Sequence, residues 1–227
     1  MCYIMTLTHT DFCTISHRPD DDSIKNILKA VKNAEIKNKK LFQIKPNKYF
    51  IDVVYSDKEY DKKTGLTKIK THRGGYVHKN KITIISPQVR KLPFALNPFF
   101  FHEINHIFYI TLIGSYKPIW FSEGLATYSM KTYKVDIYGW KKFFKSIEKP
   151  DKYLYYRYVK KKYYDNASKF YTLSFIVYRY LEKEYGQEII FKLLKEFSKK
   201  PSELKFNKLF LKYFNKTKKE IVLNAIK

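Results

Sequence analysis

The apolar run FFFHEINHIF, residues 99–108, contains two histidines four positions apart with a glutamate between them. An α-helix turns once every 3.6 residues, so His102 and His106 would lie on one face of such a helix. Glu103 would stand about 100° round the helix axis from His102. Two imidazoles at this spacing can bind one zinc ion and leave the glutamate to act on a water molecule as a general base. The run therefore predicts a metal site, although either histidine alone would be interpreted as a core residue.

A catalytic zinc site needs a third protein ligand and one open position, and Glu123 is the candidate for that ligand. Glu123 follows His106 by 17 residues, in the segment WFSEGLATY. This separation is long enough to finish one helix, turn within residues 114–118, and return on an antiparallel helix. Gly124 and Ala126 are small, which would permit the close approach of two helices that a shared metal requires.

The segments HEINH and PIWFSEGLATY together resemble the gluzincin metallopeptidases, specifically the thermolysin-like and aminopeptidase-like group. The resemblance is strongest over residues 97–130, and it extends more weakly through GGYVHKNKITI and FYTLSFIVYRYLEKEYG. It implies a zincin-like fold with a Zn²⁺ cofactor and four functional residues: the metal ligands His102, His106 and Glu123, and the general base Glu103.

The resemblance also implies a reaction, which is the hydrolysis of a peptide bond in a peptide or protein substrate. Zinc lowers the pKa of water toward about 7, and Glu103 takes the proton as that water attacks the scissile carbonyl. In related enzymes a donor on a later helix stabilises the oxyanion, and Tyr171 is the candidate here, with Tyr163 and Tyr164 as rivals. One position departs from thermolysin, in which an aspartate follows the glutamate ligand by four residues. That position is Thr127 in this chain, which leaves the orientation of the ligand histidines open.

The composition excludes a disordered protein, because 44% of the 227 residues are hydrophobic and 18% are aromatic. The formal net charge is +24, and five of the 45 basic residues are arginines. A basic surface attracts polyanions, but bidentate recognition of phosphate favours arginine over lysine. Nucleic acid or an acidic surface is therefore the less favoured partner. The alternative function is a catalytically weak or inactive zincin-fold module that binds an acidic partner through its lysines.

The cysteines and the N-terminus indicate a reducing, cytoplasmic location. Cys2 and Cys13 do not make a disulfide framework in a chain of this length. Cys13 with His9 and His17 could in principle hold a second metal, although such clusters near a terminus are usually incidental. The first 22 residues lack the basic start and apolar stretch of a secretory signal, and no run approaches 18 apolar residues. The sequence predicts no signal peptide and no transmembrane segment.

Hydrophobic periodicity predicts an α+β fold with a small N-terminal sheet. Residues 24–40 repeat apolar side chains at helical spacing after Ser23 and an acidic run, as in a capped amphipathic helix. Residues 41–86 are rich in Tyr, Val and Ile between turn residues, which predicts strands. Asn97 is expected to cap the next helix, and Gly114 to end it. Five helical segments follow in the sequence.

We therefore expect a single domain over residues 1–227. Residues 1–96 would form a part of mixed helix and sheet, and residues 97–227 a helical part that carries the zinc site. The remaining conspicuous residues are assigned to structure: core packing for Trp120 and Phe121, exposed surface for His72 and His78, and a turn or bulge for Gly74 and Gly75.

Overall fold

The structure is a computed structural model that describes residues 4–65, 75–90, 95–115, 117–155 and 163–227. It combines helices with a sheet, so the predicted α+β class is confirmed. The chain divides into two compact units, residues 1–111 and residues 112–227. The expected single domain, with a change of character at residue 97, stays a prediction. Within these ranges, no helix combines the length and the apolar character needed to cross a bilayer.

The first unit contains a five-stranded sheet. Its strands are β1 (Thr6–His9), β2 (Cys13–His17), β3 (Tyr49–Val54), β4 (Gly75–His78) and β5 (Lys81–Ile85). Their order across the sheet is β1-β2-β3-β5-β4. The three central strands run parallel, whereas β1 and β4 are antiparallel to their neighbours at the two edges. The last four residues of β3 are all buried, as expected for a parallel strand covered on both faces.

In the described part of this unit three helices begin: α1 (Ile24–Phe42), α2 (Asp57–Thr64) and α3 (Leu96–Ile113). The helix α1 matches the predicted amphipathic segment, and it ends where Gln43 adopts a left-handed conformation. The helix α2 contradicts the prediction that residues 41–86 form only strands and turns. Ser56 caps α2 by accepting a hydrogen bond from the amide of Glu59, and Gly65 ends it at φ 70°. These local signals outweigh the β-type composition of the flanking segments.

The strands β1 and β2, which precede α1, were not predicted from the sequence. They are short, and their alternation of threonine with apolar residues is weak as a strand signal.

The start of α1 differs from the predicted cap. Ser23 has helical backbone angles, and its side chain makes no capping hydrogen bond. Instead the buried carboxylate of Asp21 accepts hydrogen bonds from the amide and hydroxyl of Ser23 and from the hydroxyls of Tyr55 and Ser86, at 2.6–2.9 Å. Burial by itself would raise the pKa of Asp21, but these hydrogen bonds together hold that pKa below its ordinary value. The acidic run therefore ties α1 to the ends of β3 and β5.

The helix α3 begins at Leu96, so the prediction that Asn97 caps it is wrong. Asn97 lies in the first turn instead. The predicted end is confirmed, because Gly114 has φ 71° directly after the helix. Gly75 opens β4, and a Cβ atom there would collide with the ring of Phe99 on α3. Its lack of a side chain thus permits close packing of strand on helix, which differs from the predicted turn or bulge.

The second unit is helical in its described parts. Its elements are α4 (Ile119–Ser129), α5 (Ile137–Lys145), a 3₁₀ helix (Pro150–Leu154), α6 (Tyr163–Ser198), α7 (Glu203–Phe214) and α8 (Lys218–Ile226). Gly186, at φ 79° and ψ 156°, interrupts the helical geometry of α6. The long helix α6 packs along α4, α7 and α8, so it is the central element of this unit.

Aromatic side chains hold α4 in the second unit. Trp120 and Phe121 are buried, which confirms their predicted core role. The ring of Trp120 meets Phe206 and Phe210 of α7 edge to face, and Phe121 meets Tyr178 of α6, with centroids 5.4–6.1 Å apart. Such pairs add about 0.5–1.5 kcal/mol each beyond the area that they bury.

Candidate metal centre

The two histidines of the HEINH motif lie on α3, as predicted. His106 is buried, whereas His102 and Glu103 are half-buried. The Nε2 atoms of His102 and His106 are 3.1 Å apart, and the two rings stand almost perpendicular, at 88°. Their neighbours Ile104 and Phe108 are fully buried, so α3 is a core helix and its turns are held by packing. The i, i+4 spacing therefore directs two imidazole nitrogens toward one point.

Glu123 lies on α4 and is also buried, with 6% of its surface exposed. The next residue, Gly124, touches α6: a Cβ atom at Gly124 would lie 2.5 Å from the carbonyl oxygen of Ser174 and 2.9 Å from Cβ of Tyr178. The close approach that Gly124 permits is thus between α4 and α6. This contact fixes the turn of α4 that carries Glu123.

Ligand atoms of His102, His106 and Glu123 lie within 4.8 Å of one another. Across the residues that the structure describes, this is the one group of three or more histidine, cysteine or acidic side chains placed to hold a metal ion. Two imidazole nitrogens and a carboxylate oxygen are a donor set that zinc accepts. Nitrogens bound to a tetrahedral zinc at about 2.0–2.1 Å would be about 3.4 Å apart. The observed 3.1 Å is close to that separation, so these residues fit the ion.

The possible second metal cluster of His9, Cys13 and His17 does not assemble. Cys13, Ile15 and His17 share the buried face of β2. His9, in contrast, is exposed, and its Nδ1 lies 3.1 Å from the hydroxyl of Thr14. The Nδ1–H group of His17 donates to the Arg18 carbonyl at 2.7 Å, which fixes its ring. Burial raises the pKa of the Cys13 thiol, so the protonated form is favoured. These side chains therefore stabilise the sheet.

Of the remaining site candidates, Tyr171 and Thr127 have defined positions but no demonstrated role. Tyr171 lies half-buried on α6, and its ring meets Phe170 edge to face at 5.3 Å. Thr127 is buried on α4, one turn after Glu123. The side chains of Tyr163 and Tyr164, and all of His72 and Gly74, lie outside the described part of the structure. The oxyanion donor and the partners that orient the ligand histidines stay predictions.

A buried polar contact between α1 and α3 was not predicted from the sequence. Asn38 and Asn105 are fully buried and hydrogen-bonded to each other. The other histidine considered from the sequence, His78, is exposed, as predicted. A signal was present in α1, where Asn38 continues the buried series Ile27, Val31 and Ala34 at spacings of four, three and four. A polar residue in such a series predicts a buried hydrogen bond.

No model of a known protein family matches the chain, and no curated protein is significantly similar to it. The resemblance to gluzincins therefore depends on two short motifs and on the geometry that the structure gives to their residues.

Proposed function

We propose that this protein is a zinc-dependent peptidase of the gluzincin type with a zincin-like fold. The observation that supports the proposal is the convergence of His102, His106 and Glu123, whose ligand atoms lie within 4.8 Å of one another. Glu103 stands at the adjacent position of α3. A core packed only for stability requires neither three ligand groups at one point nor a carboxylate beside them.

The proposed reaction assigns a separate task to each residue. His102, His106 and Glu123 would hold the ion, which supplies the Lewis acidity that polarises a carbonyl and makes water nucleophilic near neutral pH. The Glu103 carboxylate accepts a proton from the attacking water and delivers it to the leaving nitrogen as the carbon–nitrogen bond breaks. The products are one carboxylate and one amine. Tyr171 is the proposed hydrogen-bond donor to the oxyanion.

The sheet suggests how a substrate would be bound. β4 is an edge strand, paired on one side with β5. An extended peptide can add to such an edge through backbone hydrogen bonds, which select the shape of the substrate more than its side chains. We therefore propose that the substrate binds in extended form along β4.

Metal content tests the site itself. Protein purified without chelators should contain one zinc per chain by elemental analysis, and the His106→Ala variant should contain little, because two ligands remain. His78→Ala is a matched control, since His78 is exposed and lies outside the site. If neither wild type nor variant binds metal after zinc is added back, the proposal fails, and the alternative of a lysine-rich module that binds an acidic partner gains support.

Peptide cleavage tests the mechanism. Glu103→Gln should keep one zinc per chain and lose cleavage of a peptide library by about 10²–10⁴-fold, because the amide cannot accept the proton. Glu203→Gln is the control, since Glu203 is exposed in the first turn of α7. Undiminished turnover in Glu103→Gln would contradict the assignment of the general base without contradicting the proposed metal site.

A further inference from the structure

We infer that Asn38 is a positioning residue that sets the rotation of the metal-binding turn of α3. The inference rests on the proposed function, since the turn matters chemically only if His102 and His106 bind a metal. Asn38 lies on α1 and acts on α3 through Asn105 and through the carbonyl of Phe101. Both contacts lie within the first unit.

The hydrogen bonds are short and fully buried. Asn38 Nδ2 donates to the carbonyl oxygen of Ala34 at 3.0 Å and to that of Phe101 at 3.2 Å. Asn38 Oδ1 accepts from Asn105 Nδ2 at 2.9 Å. Both asparagines have 0% of their surface exposed. Asn38 therefore contacts α3 at two points one helical turn apart.

The network also fixes the orientation of each amide group. Asn38 must point its nitrogen at the two carbonyls, because a carbonyl oxygen cannot donate. Its oxygen must then receive a donor, so the nitrogen of Asn105 faces Asn38. The Oδ1 atom of Asn105 is left buried without a hydrogen-bond partner among the described residues.

An orphaned buried acceptor carries a cost, and an apolar pair of similar shape would avoid it. Asparagine is also a poorer helix former than leucine inside α1. Stability alone therefore favours two apolar residues at positions 38 and 105. A positional role explains why a polar pair occupies this part of the core.

The two contacts stand in a fixed relation to the ligands. Phe101 directly precedes His102, and Asn105 directly precedes His106. One residue along a helix is a rotation of about 100°, so the Asn38 contacts hold α3 at one angular position and thereby set where the two imidazoles point. Apolar packing is non-directional, whereas hydrogen bonds fix an angle.

Small rotations of α3 have large effects on ligand geometry. The Cα atoms lie about 2.3 Å from the helix axis, which places an imidazole nitrogen roughly 6 Å from it. Metal–ligand distances tolerate about 0.2 Å, which at that radius is a rotation of roughly 2°. A pair of directional contacts on α3 is suited to hold the helix within such a limit.

The test separates positioning from stability with three variants of the full chain: Asn38→Leu, Asn105→Leu and the double variant. Urea unfolding of the metal-free protein gives stability, and competition with a chromophoric chelator gives the zinc Kd. Each single variant leaves a buried amide without its partner and should lose stability. The double variant should recover most of that stability, because both polar groups are gone. All three should show a zinc Kd raised about tenfold or more, the usual scale for outer-shell partners of a metal site.

A matched control removes packing from the same helix. Val31→Ala deletes buried apolar atoms of α1 and keeps every hydrogen bond of Asn38. It should lose stability with an unchanged zinc Kd. The absorption spectrum of the Co²⁺-substituted protein adds a readout of ligand geometry, and it should change in the asparagine variants alone. If a leucine variant does not fold, Asn105→Ala supplies the single-contact measurement, since it retains the carbonyl bonds of Asn38.

The outcomes distinguish this inference from the proposed function. No zinc in the wild type removes both. If the wild type binds zinc and the asparagine variants bind it with a Kd within twofold of the wild-type value, the positioning role is overturned. The metal site is then retained. A Kd raised equally in Val31→Ala also overturns it, because general loosening of α1 would then explain the effect.

Discussion

The contact between Gly124 and α6 yields a prediction in which two opposing effects can be compared. In an unobstructed helix, alanine is more stable than glycine by about 1 kcal/mol. At Gly124 the new Cβ would lie 2.5 Å from the carbonyl oxygen of Ser174, whereas ordinary contacts begin near 3.4 Å. The helix α4 would have to move by the difference, about 0.9 Å, because a backbone atom of α6 cannot rotate aside.

Overpacking of this kind costs about 1–3 kcal/mol, which exceeds or cancels the gain in helix propensity. Gly124→Ala should therefore lower the free energy of unfolding by up to about 2 kcal/mol. A displacement of about 0.9 Å is also several times the 0.2 Å tolerance of a metal–ligand bond, and Glu123 is the preceding residue. We expect the zinc Kd to rise at least about tenfold.

Urea unfolding with zinc chelated, followed by chelator competition, measures both effects. Gly139→Ala is the control: the nearest atoms to its new Cβ all belong to the carboxylate of Asp136, which can rotate away. It should leave the zinc Kd unchanged. A stabilisation of about 1 kcal/mol in Gly124→Ala with wild-type zinc affinity would refute the reasoning, because it would show that α4 and α6 leave room for a methyl group.

Four further predictions concern charge, pH and catalysis. The pKa of Asp21 is lowered, so its contribution to stability is present above the ordinary value of 3.8 and is lost as pH falls through the lower folded value. Ser86→Ala removes one hydrogen bond to this carboxylate, so it should lower the free energy of unfolding in urea by about 1 kcal/mol at pH 7 and by less near pH 3. Burial, the largest influence, raises the pKa of Glu35 above 4.5, so its contribution to stability is present below pH 4.5 and is lost as pH rises through the folded pKa. The free energy of unfolding of Glu35→Gln, compared with that of the wild type, should therefore increase from pH 4.5 to 7. Tyr171→Phe should retain zinc and lower peptide turnover roughly 10²–10³-fold, and turnover equal to wild type would remove Tyr171 as the oxyanion donor. If the lysine-rich surface binds a polyanion, affinity for single-stranded DNA should fall steeply between 50 and 200 mM salt, and no measurable binding at low salt would exclude that partner class.

The sequence by itself determined the features that follow from local backbone geometry. A helical period of 3.6 residues is enough to place His102 and His106 on one face. The end of α3 at Gly114 was equally readable, because glycine adopts at little cost the left-handed conformation that commonly ends a helix. The helical spacing of apolar residues likewise located α4 and α5. The α+β class followed from adding these local signals.

Tertiary structure decided the contacts between residues far apart in the chain. Asn38 and Asn105 are 67 residues apart, and nothing in either segment specifies that they meet. Gly124 does permit a close helix approach, but with α6 and not between the two helices that carry the metal ligands, as the sequence had predicted. The acidic run before α1 resembled a cap, yet the Asp21 carboxylate is held by the hydroxyls of two residues that directly follow distant strands. A sequence pattern records the period of its own element, whereas the pairing of two elements depends on side-chain volumes and hydrogen-bond partners that only the folded chain brings together.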